Sequence, residues 1–348
     1  MTAIVRKLAA RVGFVAHPAE DRFHRKTVPL GGGIAIFTTI TVIIIAGALA
    51  IIILLVPGRF PSLIQSANID PKDFLAKVNQ LVFVLLCTLA LFGLGLADDK
   101  KRLGPFLKLA FQFMVALIAA HFADIRVELF IENKIITSVL SAFWIVLIIN
   151  VFNFLDNMDG ASAGIAVITG TYLLTAALQS GQVFVSGLAL VFIGTLLGFL
   201  AFNFPPAKIF MGDAGSLVVG FFVAMLSLRT TYYHQAASGQ WYAVLMPLVV
   251  LAVPLYDFIS VTLLRIKQGK SPFVGDTQHF SHRLKRHGLS DTETVLTLYL
   301  ATICTGLGAT FLNQVNLNGA ILILIQTIMI LSIIAIFEST AKNDRTTT

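Results

Sequence analysis

The chain has 348 residues, 57% hydrophobic and only 12% charged, with a mean hydropathy of +0.86. Soluble domains carry about 25% charged residues, so this chain has too little polar surface for a water-soluble globule, which excludes a soluble enzyme, a disordered chain and a disulfide scaffold. The net charge of +7 reads as loop charge flanking apolar runs rather than a nucleic-acid surface, and no nucleic-acid partner is expected.

In chain order, residues 4–15 come first. Ile4, Val5, Leu8, Val12 and Val15 alternate at helical spacing with Arg6, Lys7 and Arg11, the pattern of an amphipathic helix lying in the membrane interface. Ten apolar stretches follow, each near the length of about 20 residues that crosses a bilayer: 33–57, 80–97, 107–122, 135–152, 161–178, 183–203, 215–232, 241–265, 293–312 and 319–337. Cys87 and Cys304 lie inside such stretches and read as buried thiols. The fold class is therefore all-α: a polytopic protein of about ten transmembrane helices in a lipid bilayer. Residues 1–32 form an N-terminal segment and loop, 33–337 a transmembrane domain with a large loop at 265–292, and 338–348 a tail.

Ten spans put both termini on one side. The loops on that side, at 1–32, 98–108, 151–160, 204–214 and 265–292, together with the tail, hold 19 of the 25 Lys and Arg residues. The asymmetry predicts that this side is cytoplasmic, with the protein in the inner (plasma) membrane and its active site built from the cytoplasmic loops.

These loops also hold the unusual acids. Asp98 and Asp99 close the second span in GLGLADDKKRLGPFLKLAFQ, Asp156 and Asp159 follow the fourth in NVFNFLDNMDGASAG, and Asp213 follows the sixth in FNFPPAKIFMGDAGS. Any one of them alone could be a solvated interfacial charge. Five on one face, in a chain so poor in charge, are harder to dismiss, because close carboxylates repel unless a cation or proton intervenes. Oxygen ligands suit Mg²⁺ or Mn²⁺, especially where substrate phosphates complete the shell. MGDAGS opens a helix whose N-terminus is expected to favour a phosphate. Gly31–Gly33 open the first span, with close helix packing as the plainer explanation. The loop at 265–292 supplies opposite charge in His279, His282, His287, Arg283 and Lys285, a set suited to a diphosphate. Asp257, in VPLYDFISV, is an ionisable residue at membrane depth, and Asn150, Asn153 and Asn203 stand near helix ends, either to meet a ligand or to tie helices together. Together these residues describe phosphoryl-group transfer between a soluble phosphorylated donor and a lipid-borne acceptor. A secondary transporter and a lipid phosphatase are the competing classes. The first would place its charges near the bilayer midplane, and the second would release phosphate.

Five motifs in order resemble the polyprenyl-phosphate N-acetylhexosamine-1-phosphate transferases: HPAEDRFHRKTVPLGGGIAI, LADDKKRLGPFLKL, NVFNFLDNMDG, FNFPPAKIFMGDAGS and GKSPFVGDTQHFSHRL. They run from about Pro18 to Leu284. The resemblance implies an Mg²⁺-dependent transfer of a sugar 1-phosphate from a UDP-N-acetylhexosamine to undecaprenyl phosphate, releasing UMP and starting a lipid-linked cell-envelope glycan such as that of lipopolysaccharide. By position it implies that Asp98 and Asp99 are the family's acidic pair, with Asp98 activating or orienting the lipid phosphate. It also implies that Lys108 contacts phosphate, that Asp213 with Asp99 holds the metal, and that Asn153, Asp156 and Asp159 serve the nucleotide-sugar and metal region. His279, His282 and Arg283 would hold the donor diphosphate, and a homodimer is one assembly open to the family. Three positions depart from the family pattern: Ser281 replaces one histidine of HxHHR, Asn157 replaces the first glycine of DGxDG, and Ala16 stands where an acid is usual. The histidine motif is closer to the GlcNAc-1-phosphate branch than to the phospho-MurNAc-pentapeptide branch, which has three consecutive histidines.

Overall fold

A computed structural model describes residues 1–16, 27–56, 71–127, 131–230, 232, 241–269, 283–285 and 288–343. Helix α1 (Thr2–Val12) leads through a small hairpin, β1 (Val15–Ala16) against β2 (Val28–Pro29), into α2 (Gly32–Ala50), which runs on as a π-helical turn at Ile51–Leu55. There follow α3 (Pro71–Lys100), α4 (Pro105–Phe122), α5 (Lys134–Leu155), α6 (Ala161–Gln179), α7 (Val183–Asn203) and α8 (Asp213–Arg229). A 3₁₀ turn at Trp241–Leu245 precedes α9 (Met246–Val250), and α10 (Ala252–Lys267), α11 (Asp291–Ala309) and α12 (Leu317–Asn343) complete the chain. The architecture is all-α and polytopic.

Helices occupy all ten predicted stretches, yet the expectation of ten spans is not met in full. Seven described helices are long and apolar enough to cross a bilayer, and an eighth span arises if the bent pair α9–α10 is counted as one. The two remaining stretches differ for separate reasons. Helix α8 has only 17 residues, and α11 is diluted by Asp291, Glu293 and a series of threonines. The stretch at 241–265, read as one span, is broken, with α9 and α10 meeting at 63°. Pro254 accounts for the break: it has no N–H to donate to Val250, and its ring crowds that carbonyl. Helix α3 begins well before its apolar window, with Pro71 at a first-turn position that tolerates a missing N–H.

Helix α8 organises the bundle. Every residue from Ala214 to Ser227 is buried, and α2, α3, α5 and α6 pack around it. A helix that is apolar all round belongs inside a core. Its sequence, GSLVVGFFVAMLSL, looks like a lipid span, but it is enclosed by other helices. The amphipathic α1 lies at the same end of the bundle as the start of α8. It buries Val5 and Ala9 against Gly31 and sets Arg6 over the Phe202 ring of α7, 5.3 Å from the centroid.

Candidate active site

Three separate stretches of sequence converge at the N-terminus of α8. Residues after β2 run beside the approach to the helix: Phe210 N–H donates to Pro29 O (2.9 Å), Gly32 N–H to Phe210 O (2.8 Å) and Gly33 N–H to Met211 O (2.9 Å). Helix α3 comes in from another side at Gly95. A methyl group there would fall 2.5 Å from the backbone of Asp213 and Ala214, so only glycine allows the approach. This contact brings the last turn of α3, with Asp98 and Asp99, to the start of α8.

The two acids then do different things. Asp99 accepts from the Asp213 N–H through Oδ1 (2.8 Å) and from the Ala214 N–H through Oδ2 (3.1 Å). The next two amides, of Gly215 and Ser216, donate to Gly212 O, each at 3.0 Å. The helix N-terminus expected to meet a phosphate thus meets Asp99, which satisfies orphan N–H groups and complements the helix dipole. Gly212 sits at φ 67°, and a side chain there would come within 2.8 Å of the Asp99 carboxylate. The position therefore needs glycine for both its backbone and its neighbour.

Asp98 faces the other way. Its Oδ1 accepts from the Leu103 N–H (2.6 Å) and its Oδ2 from Lys108 Nζ (2.9 Å). Lys108, at the first turn of α4, also donates to Asp213 Oδ2. One ammonium therefore bridges two carboxylates, with Asp99 beside them. Three acids and one base leave a formal excess of two negative charges in a part-buried setting, where the side chains of Asp98 and Lys108 are each 15% exposed. Close carboxylates of this kind favour a bound cation.

The other predicted residues reach this cluster through the frame. Asn153 donates from Nδ2 to Ser216 Oγ (2.8 Å), one turn along α8 from Asp213. Asp156 caps the C-terminus of α5. Asp159 Oδ2 accepts from the Ala207 N–H (2.8 Å), which ties the 156–160 turn to the segment that leads into Asp213. Asn203 serves the same joint. It receives the Gly160 N–H at Oδ1 (3.0 Å) and donates to Ile209 O (2.9 Å), so it ties elements together. Asn150 does likewise, donating to Gln112 Oε1 on α4 (2.7 Å).

Arg283 stands against α10, where its Nη2 meets Ser260 Oγ (2.8 Å) and lies 4.0 Å from the buried Asp257. Arg265, also buried, sits over the Phe154 ring, 5.1 Å from its centroid, and joins α10 to the end of α5. His279, Ser281, His282 and His287, with His24 of the first motif, lie outside the described residues. Sequence reasoning passed over Gly95 and Arg265. Gly95 carries a faint signal in the GLGL spacing, and Arg265 was counted only as loop charge.

The frame is that of a polytopic helical membrane protein with an acid–lysine cluster at one end of a buried central helix. The comparisons with known proteins narrow this further. Residues 81–231 match the family model for glycosyl transferase family 4. The chain is 30% identical, over 96% of its length and 87% of the relative's, to a probable undecaprenyl-phosphate N-acetylglucosaminyl 1-phosphate transferase of Bacillus subtilis (strain 168). It is 30% identical to a decaprenyl-phosphate N-acetylglucosaminephosphotransferase of Mycobacterium tuberculosis (strain ATCC 25618 / H37Rv), over 88% of this chain and 78% of that one. It is also 26% identical, over 86% and 76% of the two chains, to an undecaprenyl-phosphate alpha-N-acetylglucosaminyl 1-phosphate transferase of Yersinia pestis. The chain belongs to glycosyl transferase family 4.

Proposed function

We propose that the protein transfers N-acetylglucosamine 1-phosphate from UDP-N-acetylglucosamine to undecaprenyl phosphate, releasing UMP and starting a lipid-linked cell-envelope glycan. The names of the relatives support the donor sugar and the acceptor class. The observation that carries the reading is the convergence of Asp98 and Asp213 on Lys108 at the enclosed end of α8, beside a turn that bears two more acids. The surplus of basic residues in the loops at this end supports a cytoplasmic active site, where the nucleotide sugar is made available.

The donor set suits Mg²⁺, with Mn²⁺ as a substitute. Magnesium is commonly held by one or two carboxylates together with water and substrate phosphates. Asp213 and Asp98 would hold it, since both already turn an oxygen toward a cation, the Lys108 ammonium. Among the described residues, no group of three or more His, Cys, Asp or Glu forms a cage, so a bound ion would need ligands from substrate phosphates or water. Asp99 has one lone pair on each oxygen committed to an amide, so its first task is to fix the helix that carries Asp213. Mg²⁺ held there would supply charge neutralisation to a diphosphate leaving group.

The chain's own residues then do three things. Lys108 offers its ammonium to phosphate oxygens and keeps Asp98 and Asp213 in place. The 156–160 turn, with Asn153, orients the nucleotide sugar, and Arg283, held against α10, is the described residue of the basic loop assigned to the donor diphosphate. Asp98 orients the lipid phosphate, whose oxygen is already anionic and requires no proton to be removed. That oxygen attacks the phosphorus nearer the sugar. A new P–O bond forms in line as the bridging P–O bond breaks, and its electron pair leaves with UMP.

The test is UMP release by detergent-purified protein supplied with undecaprenyl phosphate, Mg²⁺ and a panel of UDP-N-acetylhexosamines. UMP from UDP-N-acetylglucosamine with a matching lipid product by mass spectrometry is the expected result. Free phosphate in place of UMP, or no UMP from any donor, would sink the proposal.

A further inference from the structure

The 156–160 turn is held from outside its own motif. Gly160 closes it with φ 74°, and two other helices reach its backbone groups. Its N–H donates to Asn203 of α7 (3.0 Å), and its C=O, which accepts the Gly164 N–H that opens α6 (2.9 Å), also accepts from Tyr299 Oη of α11 at 2.6 Å, across 139 residues of sequence. The Tyr299 ring lies on Gly164 in the first turn of α6, where an added methyl would come 1.9 Å from the phenol oxygen. Tyr299 stands in the helix that follows the basic loop, nine residues beyond the Ser290 cap.

The same two helices are joined a second time, with the roles exchanged. Tyr172 of α6 lies on Gly306 of α11 and donates to Ile303 O at 2.9 Å. This second contact ends on the carbonyl of a regular helix and reaches no turn. The pair thus forms an internal control: two tyrosines, each seated on a glycine of the other helix, of which only Tyr299 grips the backbone beside Asp156 and Asp159.

We infer that Tyr299 is a positioning residue for the nucleotide-sugar donor. By adding a second, longer-range bond to the Gly160 carbonyl it fixes the orientation of the 156–160 turn against α11, and hence of the two acids on it. The inference rests on the reading that this turn meets the donor. It links the α11 rod, and through it the end of the basic loop, to the donor side of the site and not to the lipid side.

The experiment compares Tyr299→Phe with Tyr172→Phe, both of which keep the ring on its glycine and remove one hydroxyl. Steady-state UMP release is measured against UDP-N-acetylglucosamine and undecaprenyl phosphate separately, alongside thermal unfolding in detergent. The loss of one hydrogen bond at the turn is expected to raise the donor KM of Tyr299→Phe by about three- to tenfold, with kcat and the lipid KM near those of the parent. Tyr172→Phe should show a similar fall in Tm and an unchanged donor KM. Equal behaviour of the two variants, or a Tyr299→Phe donor KM equal to that of the parent, overturns the inference while leaving the transferase reading intact. A parent protein that releases no UMP overturns both.

Discussion

The two ends of α8 carry charge in different proportions. At its C-terminus, Arg229 points its guanidinium at the carbonyl of Asp124 (3.1 Å) and stands 3.7 Å from that residue's carboxylate, while Arg126 takes the same carboxylate at 2.6 Å. Gln182 Nε2 closes the end by donating to Arg229 O (3.0 Å). At the N-terminus one lysine bridges two carboxylates, with a third, Asp99, beside them on the helix amides. Both ends follow the helix dipole, acid at the start and base at the finish. The far end uses its charges to finish a helix and hold a loop, with its cations set around one acid. The near end holds more acid than its lysine can balance, and the proposed Mg²⁺ site rests on that imbalance. Charge at a helix terminus is therefore a poor guide to function by itself; the local stoichiometry is the better one.

The largest effect that would break this contrast belongs to Asp213. Asp213→Ala should lower kcat by at least about a thousandfold, since removing a metal ligand forfeits several kcal/mol of transition-state stabilisation, while leaving a folded protein by size-exclusion chromatography. A variant with the parent's rate would remove Asp213 from the metal. Chelation comes next. EDTA should abolish UMP release and added Mg²⁺ should restore it, and Asp124→Asn at the far end should respond to the titration as the parent does.

Asp99→Ala sharpens the distinction between the paired acids. Two enclosed amides lose their acceptor, so the variant should unfold more easily by about 1–3 kcal/mol and lose activity in step with its disturbed helix end. An unchanged Tm with a lost metal response would instead make Asp99 a ligand alone. Arg229→Ala should be the mildest. Its side chain is 31% exposed, and part-exposed pairs contribute about 0.2–1 kcal/mol. Thermal stability should fall slightly, with both KM values as in the parent.

Much of this was legible in the chain because lipid imposes simple rules. Ten apolar windows located ten helical stretches, and the acids singled out in the loops include the three that gather with Lys108 at one end of α8. What escaped reading depends on contacts across long sequence separations. That α8 would be wrapped by its neighbours cannot be told from a composition that suits lipid and core equally well. The break before α10 was written in Pro254 but hidden by the apolar run around it. Asp98 and Asp99 look alike as a pair of letters, yet they point in different directions because the last turn of α3 ends against another helix. Asn203 could be read as a helix tie, but nothing in the chain marked Gly160 as the residue that it and Tyr299 would hold.

The enclosure of α8 has a consequence for the setting in which the protein works. Membranes differ in thickness, and helices in contact with lipid respond by tilting, each at a modest cost. Asp213 rides on a short rod that is insulated from that adjustment by a jacket of other helices. An outer helix such as α12, whose apolar window is mostly uncovered by protein, is placed to absorb the mismatch. The acid–lysine cluster is placed to keep its spacing while the perimeter yields, as an instrument keeps its alignment inside a sprung housing.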